Sequence, residues 1–251
     1  MTQFATAPDG VRIAYDDEGE GHAIVLIHGF GASRAQNWRA PGWYDALQEA
    51  GYRVIALDCR GHGESDKPHE VAAYDEMKMV GDVTTVMKAA HVGHGFVMGY
   101  SMGGYMTARL LKEHGSFVRR AVIAGVGDMY FKRSNEWRAR IADAIVAPPD
   151  AELKTEDEKT FRTFANQPDK DPQALSACMR SPRQVLSAEE LHRIKTPVLV
   201  VCGGEDTVSG PPEPLAEAFA HGKAVVIPGR DHMLTVGDKL YKKAVLEFLS
   251  S

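Results

Sequence analysis

Short apolar runs recur along most of the chain, and amphipathic stretches separate them. Each run is four to six residues long and largely uninterrupted by polar residues, a pattern typical of strands that are buried on both faces of a parallel sheet. The runs are Ala23–Ile27, Arg53–Leu57, Gly95–Met98, Ala121–Gly125, Pro197–Cys202 and Lys223–Ile227. Strands that alternate with helices predict an α/β fold with a doubly wound, mostly parallel sheet.

The stretches between these runs carry helix signals. Asp75 predicts the cap of a helix that runs to about His91, and Ser187 with Glu190 forms a capping box that opens another. Apolar residues four apart between Leu240 and Leu249 predict a terminal helix that packs on the sheet. At the other end of the chain, Pro8-Asp9-Gly10 predicts the turn of an antiparallel hairpin.

The alternation stops between Asp128 and about Leu186, where apolar runs are absent and charge density rises. Candidate helices cover Asn135–Val146, Thr155–Asn166 and Pro172–Met179, and too few apolar residues remain to fill a core of their own. We therefore expect residues 128–187 to form a helical cap inserted over the sheet, with residues 1–127 and 188–251 supplying the core. Phe131, Trp137 and Phe164 of this cap are expected to influence substrate preference.

Charge and cysteine content narrow the range of partners. The net charge of −5 disfavours nucleic acid and anionic membranes as partners. The sequence shows neither a secretory signal pattern nor an apolar run long enough to span a bilayer. Its cysteines, Cys59, Cys178 and Cys202, have no zinc-site spacing and form no disulfide framework. We expect a cytoplasmic protein in a reducing compartment, with Cys59 and Cys202 as small buried hydrophobic residues.

The most informative stretch is Gly99-Tyr100-Ser101-Met102-Gly103, which joins a predicted strand to a predicted helix. A chain that reverses so sharply crowds its own backbone, so the positions flanking Ser101 favour glycine. This turn would hold the Ser101 hydroxyl at a helix N-terminus, where unpaired N–H groups can stabilise a developing negative charge. The simpler alternative is that Ser101 only caps the helix.

Asp206 and His232 follow two later strands, as Ser101 follows an earlier one. A serine hydroxyl needs an adjacent base to become a nucleophile, and imidazole has a suitable pKa. The imidazole in turn needs a carboxylate to fix its tautomer and stabilise its cation. Asp128 also follows a strand and is the alternative acid, whereas Asp231 is expected to face solvent.

Several motifs in this order resemble the α/β-hydrolase fold family. They are His28-Gly29-Phe30-Gly31, Arg60-Gly61-His62-Gly63-Glu64-Ser65, Gly99-Tyr100-Ser101-Met102-Gly103, Gly203-Gly204-Glu205-Asp206 and Pro228-Gly229-Arg230-Asp231-His232. The resemblance implies an eight-stranded sheet and a Ser101-Asp206-His232 triad. It also implies an oxyanion hole from the backbone N–H groups of Phe30 and Met102, with His28 and His62 holding loops.

The resemblance implies a serine hydrolase that cleaves a small-molecule carboxylic ester without a metal or cofactor. His91 and His94 have no carboxylate or cysteine nearby in the sequence to complete a set of metal ligands, so no metal site is expected there. Serine at position 101 argues against epoxide hydrolases and haloalkane dehalogenases, which use an aspartate. Carbon–carbon bond hydrolases, enol-lactonases, thioesterases and perhydrolases of the same fold stay open, as does a hydrolase-like receptor with little turnover.

Overall fold

Eight strands form a single sheet in the computed structural model, which describes residues 1–251. The strands are β1 (Gln3–Thr6), β2 (Arg12–Glu18), β3 (His22–Ile27), β4 (Tyr52–Leu57), β5 (Gly95–Tyr100), β6 (Val118–Ala124), β7 (Val198–Gly203) and β8 (Gly222–Ile227). Their order across the sheet is β1-β2-β4-β3-β5-β6-β7-β8. Only the pairs β1–β2 and β2–β4 are antiparallel, so the predicted eight-stranded, mostly parallel sheet is confirmed.

Ten α-helices accompany the strands. They are α1 (Trp43–Glu49), α2 (Glu76–Ala89), α3 (Met102–His114), α4 (Met129–Lys132), α5 (Asn135–Val146), α6 (Glu156–Ala165), α7 (Pro172–Arg180), α8 (Ala188–His192), α9 (Glu213–Ala218) and α10 (Lys239–Ser250). None of them combines the length and the apolar character that crossing a membrane requires.

Helices cover both faces of the sheet because successive strand residues point to opposite sides. In β3, Val25 and Ile27 join the larger apolar cluster, to which α2, α3, α8 and α9 contribute. Ile24 and Leu26 join the second cluster, which α1 and α10 complete. Five of the six apolar runs are therefore strands buried on both faces, as their pattern predicts. Strand β8 lies at the edge of the sheet and is only partly buried, with Val226 42% exposed, so the prediction of burial on both faces is wrong for this strand.

The helices α4–α7 lie between β6 and β7 and are called here the α4–α7 segment. Helix α5 begins and ends at the residues predicted from the sequence, and α6 begins with a capping box between Thr155 and Glu158. The expectation that this segment has no core of its own needs correction. Six of its residues form a small buried cluster, because α5, α6 and α7 pack small and branched side chains together: Ile141, Ala142, Ile145, Ala165, Leu175 and Met179.

The direction in which strands are added to the sheet reverses between β3 and β5. These strands are hydrogen-bonded neighbours, with Ile27 opposite Gly99, although β4 lies between them in the sequence. A reversal of this kind separates the loops that follow the two strands and opens a crevice at their carboxyl ends. Phe30 follows β3 and Ser101 follows β5, so both lie at this crevice.

Candidate active site

Ser101 occupies a strained turn between β5 and α3. Its backbone has φ 50° and ψ −111°, and His91 is the only other non-glycine residue with a positive φ. Such a conformation costs about 1–3 kcal/mol and persists only where the surroundings impose it. A Cβ on Gly99 would lie 2.1 Å from the Gly103 carbonyl oxygen, and one on Gly103 would lie 2.1 Å from the Ile27 carbonyl oxygen. Glycine at both positions therefore permits the turn.

The structure does not support the simpler alternative, in which Ser101 only caps helix α3. The Ser101 side chain makes no capping hydrogen bond. Its backbone N–H donates to the Ala124 carbonyl at 2.8 Å, which ties the turn to the neighbouring strand β6. The hydroxyl group is therefore left for another partner at the wall of the crevice.

His232 and Asp206 meet because their loops follow the adjacent parallel strands β8 and β7. The Nδ1 atom of His232 lies 2.8 Å from Oδ2 of Asp206. This contact engages one ring nitrogen and leaves Nε2 for a second partner. His232 also shares the wall of one cavity with Ser101. The structure thus brings all three predicted side chains to one place.

Asp206 is buried and receives several hydrogen bonds. Its Oδ1 accepts from the N–H groups of Val208 and Ser209, at 3.0 and 2.9 Å. Its Oδ2 accepts from the Ser209 hydroxyl at 2.7 Å. Burial alone would raise the pKa of Asp206, but the hydrogen bonds from His232 and Ser209 outweigh it and hold the pKa below its ordinary value. Asp206 is therefore a carboxylate at neutral pH.

Asp128, the alternative acid, faces a different partner. Its carboxylate pairs with Lys132 one turn along α4, and its backbone N–H donates to the Pro211 carbonyl at 2.9 Å. Asp231 is exposed, and its Oδ1 accepts from the N–H groups of Met233 and Leu234. Neither carboxylate forms a hydrogen bond with His232.

The N–H groups of Phe30 and Met102 donate to no backbone carbonyl, and both residues line a common cavity with Ser101. Met102 is the first residue of α3, where an N–H has no partner within the helix. Phe30 follows β3, and its side chain lines both cavities that reach Ser101. Two unpaired donors from neighbouring loops are thus available near the hydroxyl.

Two cavities meet at Ser101. The larger, with a volume of about 260 Å³, is mainly apolar and includes His232, Phe161 and Phe164 in its wall. The smaller, of about 50 Å³, lies toward the α4–α7 segment and includes Trp137 in its wall. Phe131 is 40% exposed and lines neither cavity, so its expected influence on substrate preference has no basis in the structure.

His28 and His62 are fully buried and hold loops. The Nδ1 of His28 lies 2.7 Å from the Gly29 carbonyl, and its Nε2 accepts from the Cys59 N–H at 2.9 Å. The Nδ1 of His62 lies 2.9 Å from the Arg60 carbonyl. Burial lowers the pKa of His28 to about 4 and that of His62 to about 3, with the neighbouring His28 contributing to the latter.

Buried thiols fit their predicted role as small hydrophobic residues. Cys59 and Cys202 are 1% and 0% exposed. Burial raises the pKa of both thiols above the ordinary value, so neither is available as a thiolate.

The sequence did not single out several residues of the site. Ser209 lies three residues after Asp206, a spacing at which side-chain hydrogen bonds in turns are common and which could have drawn attention to it. The arginines of the smaller cavity, Arg133, Arg138 and Arg183, belong to a region rich in charge throughout. No periodicity distinguishes them from solvent-facing charges, so only the folded structure reveals them.

Comparison with known proteins agrees with this arrangement. Residues 24–239 match the model of the alpha/beta hydrolase family. The chain belongs to this family. A relative named non-heme chloroperoxidase CPO-A1, from Kitasatospora aureofaciens, is 27% identical over 98% of this chain and 99% of its own length.

Solved structures show the same fold. An esterase from Exiguobacterium antarcticum superposes with a TM-score of 0.80 at 23% identity and covers 100% of both chains. An enol-lactonase from Burkholderia xenovorans LB400 superposes with a TM-score of 0.79 at 24% identity and covers 99% of this chain and 100% of its own. At this identity the likeness establishes the alpha/beta hydrolase fold alone.

Proposed function

We propose that this protein is a serine hydrolase that cleaves a carboxylic ester through an acyl-enzyme on Ser101. The observation that carries the proposal is the hydrogen bond of 2.8 Å between His232 Nδ1 and Asp206 Oδ2, in a loop that shares a cavity wall with Ser101. The strained turn supports it, because a costly backbone conformation at a serine suggests a functional role for that position.

In this reaction Nε2 of His232 removes the proton of the Ser101 hydroxyl as the oxygen attacks the ester carbonyl. The carbonyl π electrons move to oxygen and form a tetrahedral oxyanion. His232 then gives its proton to the alcohol oxygen as the carbon–oxygen bond breaks. Water repeats the same sequence on the acyl-enzyme and releases the acid with Ser101 restored.

The N–H groups of Phe30 and Met102 would stabilise the oxyanion. Neither donates to a backbone carbonyl, so no existing bond has to break when the charge forms. One donor of this kind contributes about 10²–10³ in rate when it is correctly aimed.

Asp206 would keep His232 in the tautomer with the proton on Nδ1, which leaves Nε2 unprotonated and able to act as a base. It would also stabilise the imidazolium once the proton has moved. The depressed pKa of Asp206 keeps it charged at neutral pH, as this role requires. Asp128 is less suited because Lys132 already pairs with it.

Family members with esterase and enol-lactonase in their names support an acyl-transfer chemistry for this chain. The relative named as a chloroperoxidase makes perhydrolysis a reaction to include in any test. The substrate panel should therefore contain a short-chain activated ester, a lactone, a thioester, a β-diketone, and acetate with hydrogen peroxide.

The test is turnover of this panel by the wild-type protein and by Ser101→Ala. We expect the ester to be the best substrate and the Ser101→Ala variant to fold normally while losing roughly 10⁴–10⁶ in kcat, as for other nucleophile deletions. Ser116→Ala, on an exposed serine, is the matched control and should retain full activity. Ester hydrolysis within tenfold of wild type in Ser101→Ala would overturn the mechanism.

Three other outcomes would replace the ester with another role. Faster turnover of the β-diketone would favour a carbon–carbon bond hydrolase. Faster turnover of the lactone or thioester, or faster formation of peracetic acid from acetate and hydrogen peroxide, would favour the corresponding family activity. A single slow turnover with retained product would favour a receptor, because a fold with an intact triad does not by itself guarantee catalysis.

A further inference from the structure

Three arginines surround the smaller cavity beside Ser101. Arg133, Arg138 and Arg183 all contribute to its wall. Arg138 is 8% exposed, and Arg183 is half-buried. Three positive charges thus converge on one small space next to the proposed nucleophile.

These guanidinium groups are bound mainly by uncharged partners. Arg138 donates from Nη2 to the carbonyl oxygens of Cys178 and Ser181, at 3.0 and 3.1 Å. Arg133 donates from Nη2 to the Val208 carbonyl at 2.7 Å. Carbonyl groups satisfy N–H donors, but they do not neutralise a charge.

The Arg183 side chain has fewer polar contacts than those of Arg133 and Arg138. It makes no ion pair and no side-chain hydrogen bond, and its guanidinium carbon lies 4.0 Å from the centre of the Tyr105 ring. The only ion-pair contact within the cluster joins Nη1 of Arg133 to Oδ2 of Asp157 at 3.8 Å. The Asp157 side chain is 50% exposed and already accepts a hydrogen bond from the indole N–H of Trp137.

Two other buried arginines of this chain, in contrast, form ion pairs with carboxylates. Arg34 forms ion pairs with Asp16, Asp58 and Glu64. Arg60 forms ion pairs with Asp82 at 2.7 Å and with Asp9 at 2.8 Å. Buried charges are normally paired because desolvation is costly. Arg138 is buried without an ion pair and departs from a rule that this same chain follows elsewhere.

The pKa shifts within the cluster also indicate that its positive charges are not compensated. Burial, together with the nearby charge of Arg183, lowers the pKa of Arg138 to about 9. Burial also lowers the pKa of Arg133, with Arg183 again adding to the effect. Arg183 therefore repels both Arg138 and Arg133, and a bound anion would relieve that repulsion.

We propose that the smaller cavity binds a carboxylate group of the substrate, so that the natural ester carries a negative charge on one side of its scissile bond. The inference rests on the proposed function and narrows its substrate class. A guanidinium group matches a carboxylate with two parallel hydrogen bonds. A volume of about 50 Å³ exceeds the roughly 10–15 Å³ that one water molecule needs and suits a group as small as a carboxylate, and the larger apolar cavity accepts the rest of the substrate.

Arg183 gives the sharpest test, because Arg133 and Arg138 also bind carbonyl groups that shape the α4–α7 segment. The wild-type protein, Arg183→Gln and Arg183→Lys are compared on two pairs of esters. One pair is 4-nitrophenyl hydrogen glutarate and its methyl ester, which places the charge on the acyl side. The other is 4-acetoxybenzoate and its methyl ester, which places the charge on the alcohol side.

We expect the wild-type protein to prefer the charged member of one pair by at least about tenfold in kcat/KM. Arg183→Gln should lower kcat/KM for that member by about 10- to 100-fold, since a hydrogen bond to a charged group contributes about 1.5–3 kcal/mol. The neutral member should change less than about threefold. Arg183→Lys should recover part of the preference, and Arg193→Gln, on an exposed arginine paired with Glu189, should leave it unchanged.

Direct binding separates this proposal from the proposed reaction. Calorimetry with the Ser101→Ala protein measures the affinities of glutarate, 4-hydroxybenzoate and inorganic phosphate without turnover. Carboxylate binding that Arg183→Gln weakens would support the subsite even if no ester were hydrolysed, a result that would overturn only the reaction.

Three results would overturn the carboxylate subsite itself. The first is a wild-type preference for the neutral member of both ester pairs. The second is an equal loss on charged and neutral esters in Arg183→Gln. The third is tighter binding of inorganic phosphate than of either carboxylate. Hydrolysis of neutral esters would continue in each case, so the proposed reaction would stand.

Discussion

The strand-end loops and the α4–α7 segment form opposite walls of the same site, and they are built in different ways. Ser101, Asp206 and His232 follow strands of one sheet, and each is held by short bonds to its surroundings. The facing wall consists of side chains from short helices that pack around six buried residues. The first wall holds the proposed reacting groups in place, and the second offers shape and charge. The difference suggests that the reaction and the choice of substrate can be altered separately.

Among the substitutions that compare the two walls, Asp206→Asn is expected to have the largest effect on kcat. Losing a triad carboxylate disturbs the imidazole tautomer and can cost about 10⁴ in kcat with little effect on folding. We therefore expect Asp206→Asn to lose several orders of magnitude in kcat. Asp128→Asn, which loses only its pairing with Lys132, should stay within roughly tenfold. Steady-state kinetics of both variants measure the difference, and circular dichroism confirms their folding.

The reverse result would assign the role of the triad acid to Asp128. An inactive Asp128→Asn together with an active Asp206→Asn would show that the acid is misassigned, although Ser101 and His232 would keep their proposed roles.

Phe164 tests whether the α4–α7 segment selects the substrate. Its ring lines the larger cavity, so Phe164→Ala should admit bulkier groups. We expect kcat/KM for a branched or aromatic ester to rise relative to an acetate ester by about 10- to 100-fold, because changes in pocket size usually alter selectivity within this range. Phe131→Ala removes the same side chain from an exposed position and should leave the ranking unchanged. An identical shift in both variants would argue against a selective cavity.

The strand-end wall should make stability sensitive to pH. His28 and His62 have pKa values of about 4 and 3 in the fold, below the ordinary value of 6.5, so the unfolded chain binds more protons as the pH falls from above 6.5. Their contribution is complete above pH 6.5, declines as the pH falls from 6.5 towards the folded values, and is lost below them. Between pH 7.5 and 5.5 each histidine should reduce the free energy of unfolding by about 1.4 kcal/mol.

Urea unfolding at the two pH values measures this loss. His221→Gln, on an exposed histidine, is the control and should show the same loss as wild type. An unfolding free energy that does not change over this interval would mean that the two buried histidines are not held neutral.

Ser209 should produce the smallest of these effects. Its hydroxyl donates to Asp206 Oδ2 at 2.7 Å and lies 3.1 Å from His232 Nδ1, so it positions the pair without touching the reacting atoms. We expect Ser209→Ala to lower kcat by about tenfold with KM nearly unchanged, because other hydrogen bonds to Asp206 remain. Ser209→Thr keeps the hydroxyl and should restore most of kcat. A change confined to KM would assign Ser209 to substrate binding instead.

The two walls also differ in how far the sequence could predict them. Buried parallel strands need continuous apolar runs, so β3, β5, β6 and β7 could be located and the residues that follow them could be identified. Caps at Asp75 and Ser187 marked helix starts because each satisfies N–H groups that would otherwise lack partners.

The cavity wall could not be predicted in the same way. A helix carries its charges on several faces, and the sequence does not show which arginine faces a cavity and which faces solvent. No feature of the sequence distinguishes Arg138 from Arg193, yet Arg138 is buried and Arg193 is exposed. Phe131 and Phe164 differ in the same manner, because the positions of α4 and α6 in the folded chain decide their surroundings.

The central claim is that Ser101 itself becomes acylated. The most direct test is intact-protein mass spectrometry of the wild-type protein, quenched in acid within milliseconds to seconds of mixing with 4-nitrophenyl acetate, followed by peptide mapping. We predict a mass increase of one acetyl group, located on Ser101 and absent from Ser101→Ala. Steady ester turnover without any adduct on Ser101, or with the adduct on another residue, would contradict the account.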